Sequence, residues 1–150
     1  PYALFDRSVS HATYEQQENG KVVFDGIIAL AKACLAAGIP VGLGTDTGCP
    51  FITHYDMWRE LCYFVKFCGV TPAFALYSAT LLNARLAGID HLTGSVEKGK
   101  AADLIVCEKD PLEDLTALRK LDMVIKDGWR IDHPAVKKMP QVERELDKFL

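Results

Sequence analysis

A chain of 150 residues, 49% hydrophobic and 25% charged, has the length and composition of one globular domain, without low-complexity tracts. Its net charge of −3 argues against a nucleic-acid binder, which needs a basic face, and no run approaches the roughly 18 apolar residues of a membrane span. The five cysteines, Cys34, Cys49, Cys62, Cys68 and Cys107, include no Cys-x-x-Cys. That argues against a disulfide framework or a zinc cluster and for a reducing, cytoplasmic setting.

The sequence starts at Pro1 without an initiator Met, and Pro1-Tyr-Ala-Leu-Phe5 lacks the basic start of a signal peptide. A piece of a longer protein is expected. Residues 1–20 are polar and aperiodic, with Gln16-Gln17-Glu18-Asn19-Gly20 reading as a loop. Phe24, Ile27, Ile28, Ala31 and Leu35 then recur at helical spacing, and Gly38 reads as the stop. Ile39 to Leu43 has no polar alternation, which predicts a short strand buried on both faces, as in a parallel sheet.

After Asp46, Thr53 with Asp56 three residues on predicts a capping box. Met57, Leu61, Phe64, Val65 and Cys68 form the stripe of the helix that follows, ended by Gly69. Thr71-Pro72 starts a second helix, which continues through Leu86 to Gly88. Gly94 to Lys100 is turn-rich, Ala102 to Cys107 reads as a strand, and Asp110-Pro111 begins a short helical stretch through Leu118. Met123 to Lys126 and Trp129 to Ile131 flank Asp127-Gly128, a two-residue hairpin signal. The charged segment Val136 to Leu150 predicts a final helix. The order is α/β first and a small β element afterwards, with too few strands for an independent sheet.

Asp46 ends the apolar, glycine-spaced run Val41-Gly-Leu-Gly-Thr-Asp-Thr-Gly48. One reading makes it a turn former, since Asp and Thr side chains bond nearby amides. A second takes Asp46-Thr47-Gly48 as the triplet of a dimeric aspartic protease, in which two carboxylates share a proton. Against it, Asp46 lies between two helical patterns, and residue 49 is cysteine where those enzymes carry a small Ala or Ser. A third sets Asp46 at the C-terminal end of a parallel barrel strand, the edge where barrel enzymes carry catalytic groups.

The surrounding words favour the third. Leu43-Gly-Thr-Asp46, Gly69-Val-Thr-Pro72, Ala75-Leu76, Ala79-Thr80, Asn83-Ala84, Gly94-Ser-Val-Glu-Lys-Gly-Lys100, Ala102-Asp-Leu-Ile-Val106 and Asp110-Pro111 follow in order, closed by Val124 and Gly128. Over residues 38–131 this resembles the C-terminal third of the metal-dependent amidohydrolase superfamily, nearest its imidazolonepropionase-like and prolidase-like branch. The resemblance implies an α/β fold: the last βα unit of a (β/α)8 TIM-like barrel with the following helices (1–92), part of a composite β-sandwich (93–131) and a helical tail (132–150). It implies hydrolysis of an amide, peptide or cyclic amide C–N bond in a small-molecule or dipeptide-like substrate. Asp46 matches the family's carboxylate that touches a divalent metal, expected to be Zn2+, and takes a proton from the attacking water. Thr45 and Thr47 are placed to fix that carboxylate, and His54, eight residues on, is a candidate substrate contact.

The family's His-x-His, its metal-bridging lysine or glutamate and its two later histidines match nothing in this sequence. His11, His54, His91 and His133 form no His-x-His and no helical pair. The isolated chain is therefore expected to bind no stoichiometric metal and to hydrolyse nothing by itself, which leaves a non-catalytic interaction or structural domain as the rival reading. An upstream reading frame encoding His-x-His separates the two. A truncated barrel would also leave an open strand edge, so a homo-oligomer is expected. Asp103 is expected to hold the Gly94–Lys100 turn, and Thr80 and Asn83 to tie their helix to neighbouring backbone. Trp58 and Trp129 read as core or interface residues, and Arg59-Glu60 as a solvated helix face.

Overall fold

The computed structural model describes residues 4–48 and 51–150; Cys49, which entered the protease comparison, lies outside the described residues. The polar start is helical, against expectation. A short helix α1 (Arg7–Ser10) is capped by Asp6, whose carboxylate accepts from the Ser8 amide at 2.8 Å. The next helix, α2 (Tyr14–Ala36), runs through the segment read as a loop. Thr13 and Gln16 form a capping box there: Gln16 N donates to Thr13 Oγ1 at 3.2 Å, and Thr13 N donates to Gln16 Oε1 at 2.8 Å. The box satisfies amides that a first turn leaves orphaned. Gly20 costs about 1 kcal/mol against alanine, too little to break a 23-residue helix.

The predicted strand at Ile39–Leu43 is corrected. No ladder is assigned over residues 39–46, and an isolated bridge residue stands at Thr47. A strand buried on both faces needs neighbours at its edges, and the sheet among the described residues is built from later segments. The side-chain amide of Asn83 takes the neighbour's place at one residue, accepting from Leu43 N at 3.1 Å and donating to Leu43 O at 2.8 Å. Gly42 permits that approach, because a Cβ there would overlap Asn83 Oδ1 and sit 3.0 Å from Leu86 Cδ1. Asn83→Ala should therefore cost about 1–3 kcal/mol, the penalty for leaving such groups unpaired, and Gly42→Ala should lower the urea midpoint by displacing the same amide.

The helix α3 (Met57–Cys68) carries the predicted stripe and ends at Gly69 in the left-handed conformation. Its expected capping box does not form. Asp56 is itself the N-cap residue, without a side-chain cap bond, and Thr53 Oγ1 donates to Asp56 Oδ2 at 2.6 Å. The carboxylate is held by charge instead, as described below. Thr71 does cap the next helix, accepting from Phe74 N at 3.2 Å. That helix, α4 (Pro72–Tyr77), passes through a π turn (Ser78–Leu82) into α5 (Asn83–Leu86). Asn83 thus ties its helix to neighbouring backbone as expected, whereas Thr80 Oγ1 donates to Leu76 O, one turn back on the same helix, at 2.6 Å. Leu61, Phe64, Ala75 and Leu115 form the main core between these elements.

The small β element forms as read. Strands β1 (Leu104–Cys107), β2 (Leu121–Lys126) and β3 (Trp129–Asp132) make one antiparallel sheet in that order, with Val124 opposite both Ile105 and Ile131. Asp127 and Gly128 both take positive φ, 51° and 81°, as a tight hairpin turn demands. Asp103 holds this hairpin and not the Gly94–Lys100 turn: its carboxylate accepts from Asp127 N at 2.8 Å and from Lys126 Nζ at 3.1 Å. The earlier turn is closed by Lys100 Nζ donating to Ser95 Oγ at 2.6 Å. The stretch after Asp110-Pro111 is a turn followed by a 3-10 helix (Leu115–Arg119). Trp129 is 80% exposed and belongs to no core, whereas Trp58 is buried.

A last helix, α6 (Pro140–Asp147), returns to the beginning of the chain, where Phe5, Val142 and Leu146 form a second core. Tyr63 Oη donates to Leu146 O at 3.1 Å, and burial pushes the phenol's pKa up to about 12. Folding thus favours the neutral phenol. Its contribution is complete below an unfolded pKa of about 10 and is lost as pH rises from there toward the folded value. Urea melts between pH 9 and 12 should show this decline, and Tyr63→Phe should flatten it.

Candidate active site

Asp46 stands where residues 41–46 meet the turn before α3. Its backbone is left-handed, with φ 53°, and Phe51 repeats that conformation at φ 63°. Non-glycine residues rarely adopt it, and each instance costs of order 1–3 kcal/mol unless its surroundings enforce it. Phe51 is held by packing: its ring lies 5.7 Å from that of Phe5 and rests on the second core. Thr45 and Thr47 hydroxyls bond each other at 2.7 Å, across Asp46.

Thr45 and Asp46 line one end of an open cavity of about 470 Å³ between α2, residues 41–46 and α3, a volume that suits a small ligand. Its walls are mainly apolar, and Phe24, Tyr63, Phe67 and Phe149 in its lining meet ring to ring. Glu60 faces the same cavity, and burial raises its carboxyl pKa. His54 does not join this lining. It is exposed, with its ring edge-on to Tyr55 at 5.4 Å.

Arg59, expected on a solvated face, is the most buried charge near the site, at 2% exposure. Nη1 donates to Asp147 at 2.6 Å and Nη2 to Glu143 at 3.0 Å, while Nε faces Asp56 at 3.3 Å. Arg119 joins from outside, with Nη2 3.3 Å from Glu143 and 3.2 Å from Asp147. The two guanidiniums also lie 4.4 and 5.4 Å from the Trp58 ring centroid. Burial alone would raise the Asp147 carboxyl, but the hydrogen bond and charge of Arg59, aided by Arg119, bring it below the usual range. The stabilisation from Asp147 is therefore present above the ordinary carboxylate pKa near 4 and lost in more acid solution. The sequence signal for this cluster is the pair Glu143 and Asp147, four apart on one helix face.

Among the described residues, no three His, Cys, Asp or Glu side chains converge as a metal would need. A catalytic zinc takes three protein ligands, so these residues do not make a complete site. The Asp46 carboxylate, with the Thr45 and Thr47 hydroxyls beside it in sequence, has the chemistry of a single oxygen donor to a cation. The described cysteines, Cys34, Cys62, Cys68 and Cys107, are free thiols, and no described helix is long and apolar enough to cross a membrane.

The profile of the Amidohydrolase family matches residues 12–130. A presumed prolidase from Bifidobacterium longum superposes with a TM-score of 0.92 at 40% identity, over 99% of this chain and 37% of that one. Imidazolonepropionase of Geobacillus kaustophilus is 36% identical over 76 residues, which are 51% of this chain and 18% of the relative. Ochratoxinase of Aspergillus niger is 34% identical over 98 residues, 64% of this chain and 19% of the relative. The chain thus spans about a fifth of the length of these curated relatives.

Proposed function

Because the chain belongs to the amidohydrolase family, we propose that it is the C-terminal part of a metal-dependent enzyme that hydrolyses an amide, peptide or cyclic amide C–N bond. The observation that carries this reading is the place of Asp46: inside the family-matched span, in a left-handed turn, lining the apolar cavity between α2 and α3. On this reading residues 1–92 complete a (β/α)8 barrel, residues 93–131 a composite β-sandwich, and residues 132–150 form a helical tail. Residues 39–46 take up strand pairing only against segments outside this chain.

Asp46 is then both a metal ligand and the general base. The metal, a divalent cation and by choice of ligands Zn2+, supplies when bound a water acidified to a pKa of about 7. The Asp46 carboxylate would orient an attacking water, take its proton and pass it to the departing amine. Thr45 and Thr47 hold the turn that aims the carboxylate, whereas His54, exposed outside the cavity lining, is proposed only as a contact for a part of the substrate that projects beyond the cavity. The names of the relatives, a prolidase and an imidazolonepropionase, support a dipeptide-like or cyclic amide substrate. With helices on both sides of Asp46, the strand-built frame of an aspartic protease has no support.

Two accompanying proposals concern the chain in isolation. The exposed stripe Val23, Ile27 and Leu30 on α2, beside residues 39–46 without a ladder, supports self-association, and sedimentation at micromolar concentration should show species above the 16.6 kDa chain. Acting alone in the cytoplasm, the chain should neither retain zinc nor turn over substrate. The test of the main reading is amine release by the full-length enzyme from dipeptides, N-acyl amino acids and cyclic amides. Turnover abolished by a chelator and restored by a divalent cation is expected; turnover indifferent to both overturns the metal-dependent reading.

A further inference from the structure

The segment after Asp46 is not held by its own hydrogen bonds alone. Phe51, strained at φ 63°, leans on Phe5 and the second core, to which α6 contributes Val142 and Leu146. At the other end of the segment, Tyr55 Oη accepts from Met139 N at 3.2 Å, just before α6 begins. Asp56 faces Arg59, and Arg59 is gripped by Glu143 and Asp147, both on α6. A single helix thus fixes residues 51–56 by packing, by a backbone hydrogen bond and by charge. Its residues lie beyond the family-matched span of 12–130.

We propose that α6 is a positioning element of the active site, acting through Arg59 and Phe51 to hold residues 51–56 over the cavity that Asp46 enters. The element touches no reacting atom. Phe51, Ile52 and Thr53 line the cavity, so their placement governs how substrate is seated, and Arg59 relays the position of α6 to them. The inference rests on the reading of Asp46 given above for its catalytic consequence, but not for the mechanical coupling.

Two measurements separate those parts. In amide-resolved NMR of this chain, Glu143→Gln (charge) and Val142→Ala (packing) should each shift or broaden resonances of residues 51–56, and leave those of β1, β2 and β3 in place. Unmoved resonances at 51–56, or a uniform change throughout the molecule, overturn the coupling. Where either variant fails to fold, Asp147→Asn, at a carboxylate 37% exposed, gives the same reading. In the full-length enzyme Glu143→Gln should raise KM about tenfold with kcat little changed, as a loss of substrate placement does, and Glu143→Asp should recover part of the loss. A fall in kcat at unchanged KM overturns the positioning role. If the wild-type enzyme hydrolyses no amide, the functional reading fails, while the NMR result still decides the coupling.

Discussion

Asp46→Asn in the full-length enzyme is expected to lower kcat by about a hundred- to ten-thousand-fold, the usual worth of a positioned general base. Asparagine keeps the size and the turn preference of aspartate, including its tolerance of the left-handed region, so φ 53° at this position survives. What disappears is the negative charge and the ability to accept a proton. Steady-state kinetics with the thermal midpoint measured in parallel separates the two effects. A variant that melts with the wild type and retains its kcat would remove Asp46 from catalysis and leave it the turn former of the simplest sequence reading. Glutamate is the sharper control. Its carboxylate is one methylene longer, so charge is kept while placement is lost, and recovery with Asp46→Glu should be small.

The second large effect belongs to Arg59. Arg59→Ala removes the cation from between Asp56, Glu143 and Asp147, leaving buried carboxylates without their partner; breaking such a cluster from one side costs about 3–5 kcal/mol. The partners are unequal. Arg59 is 2% exposed and Glu143 8%, whereas Asp147 is 37% exposed and open to water, so Asp147→Asn should cost clearly less. Arg119, at 38% exposure, reaches two of the same carboxylates but is screened, and cannot replace Arg59. Urea unfolding followed by circular dichroism should order the variants as Arg59→Ala, Glu143→Gln and Asp147→Asn, from most to least destabilised. Part of the Asp147 contribution should vanish in acid, because folding lowers that carboxyl's pKa and the stabilisation is lost as the group protonates.

The elements legible in the sequence are those whose signals are local. The stripe from Met57 to Cys68, the Thr71-Pro72 start and the Asp127-Gly128 turn each contain their own cause within a few residues, and each forms as read. The start of α2 was equally local and still missed: Thr13 and Gln16 satisfy the capping pattern, but the polar run after them masks it. Residues 39–43 fail for a different reason. An apolar run specifies burial, while a ladder depends on which chain lies alongside, and Asn83 is the partner that Leu43 finds here.

The site divides the same way. Asp46 was visible because its neighbours form a recognisable order of short motifs. Arg59 was not, because two of its three carboxylates are 84 and 88 residues away in sequence. Nothing around Trp58-Arg59-Glu60 distinguishes a buried cation from a solvated one until α6 is folded against it. Asp103 shows the middle case, a residue singled out correctly as a hydrogen-bonding anchor but assigned to the wrong turn.

Whether the Asp46 carboxylate meets a cation is tested most directly by anomalous scattering from crystals of the full-length, metal-loaded enzyme. A peak within bonding distance of an Asp46 carboxylate oxygen is predicted. A fully ligated metal with Asp46 pointing away from it would contradict the assignment.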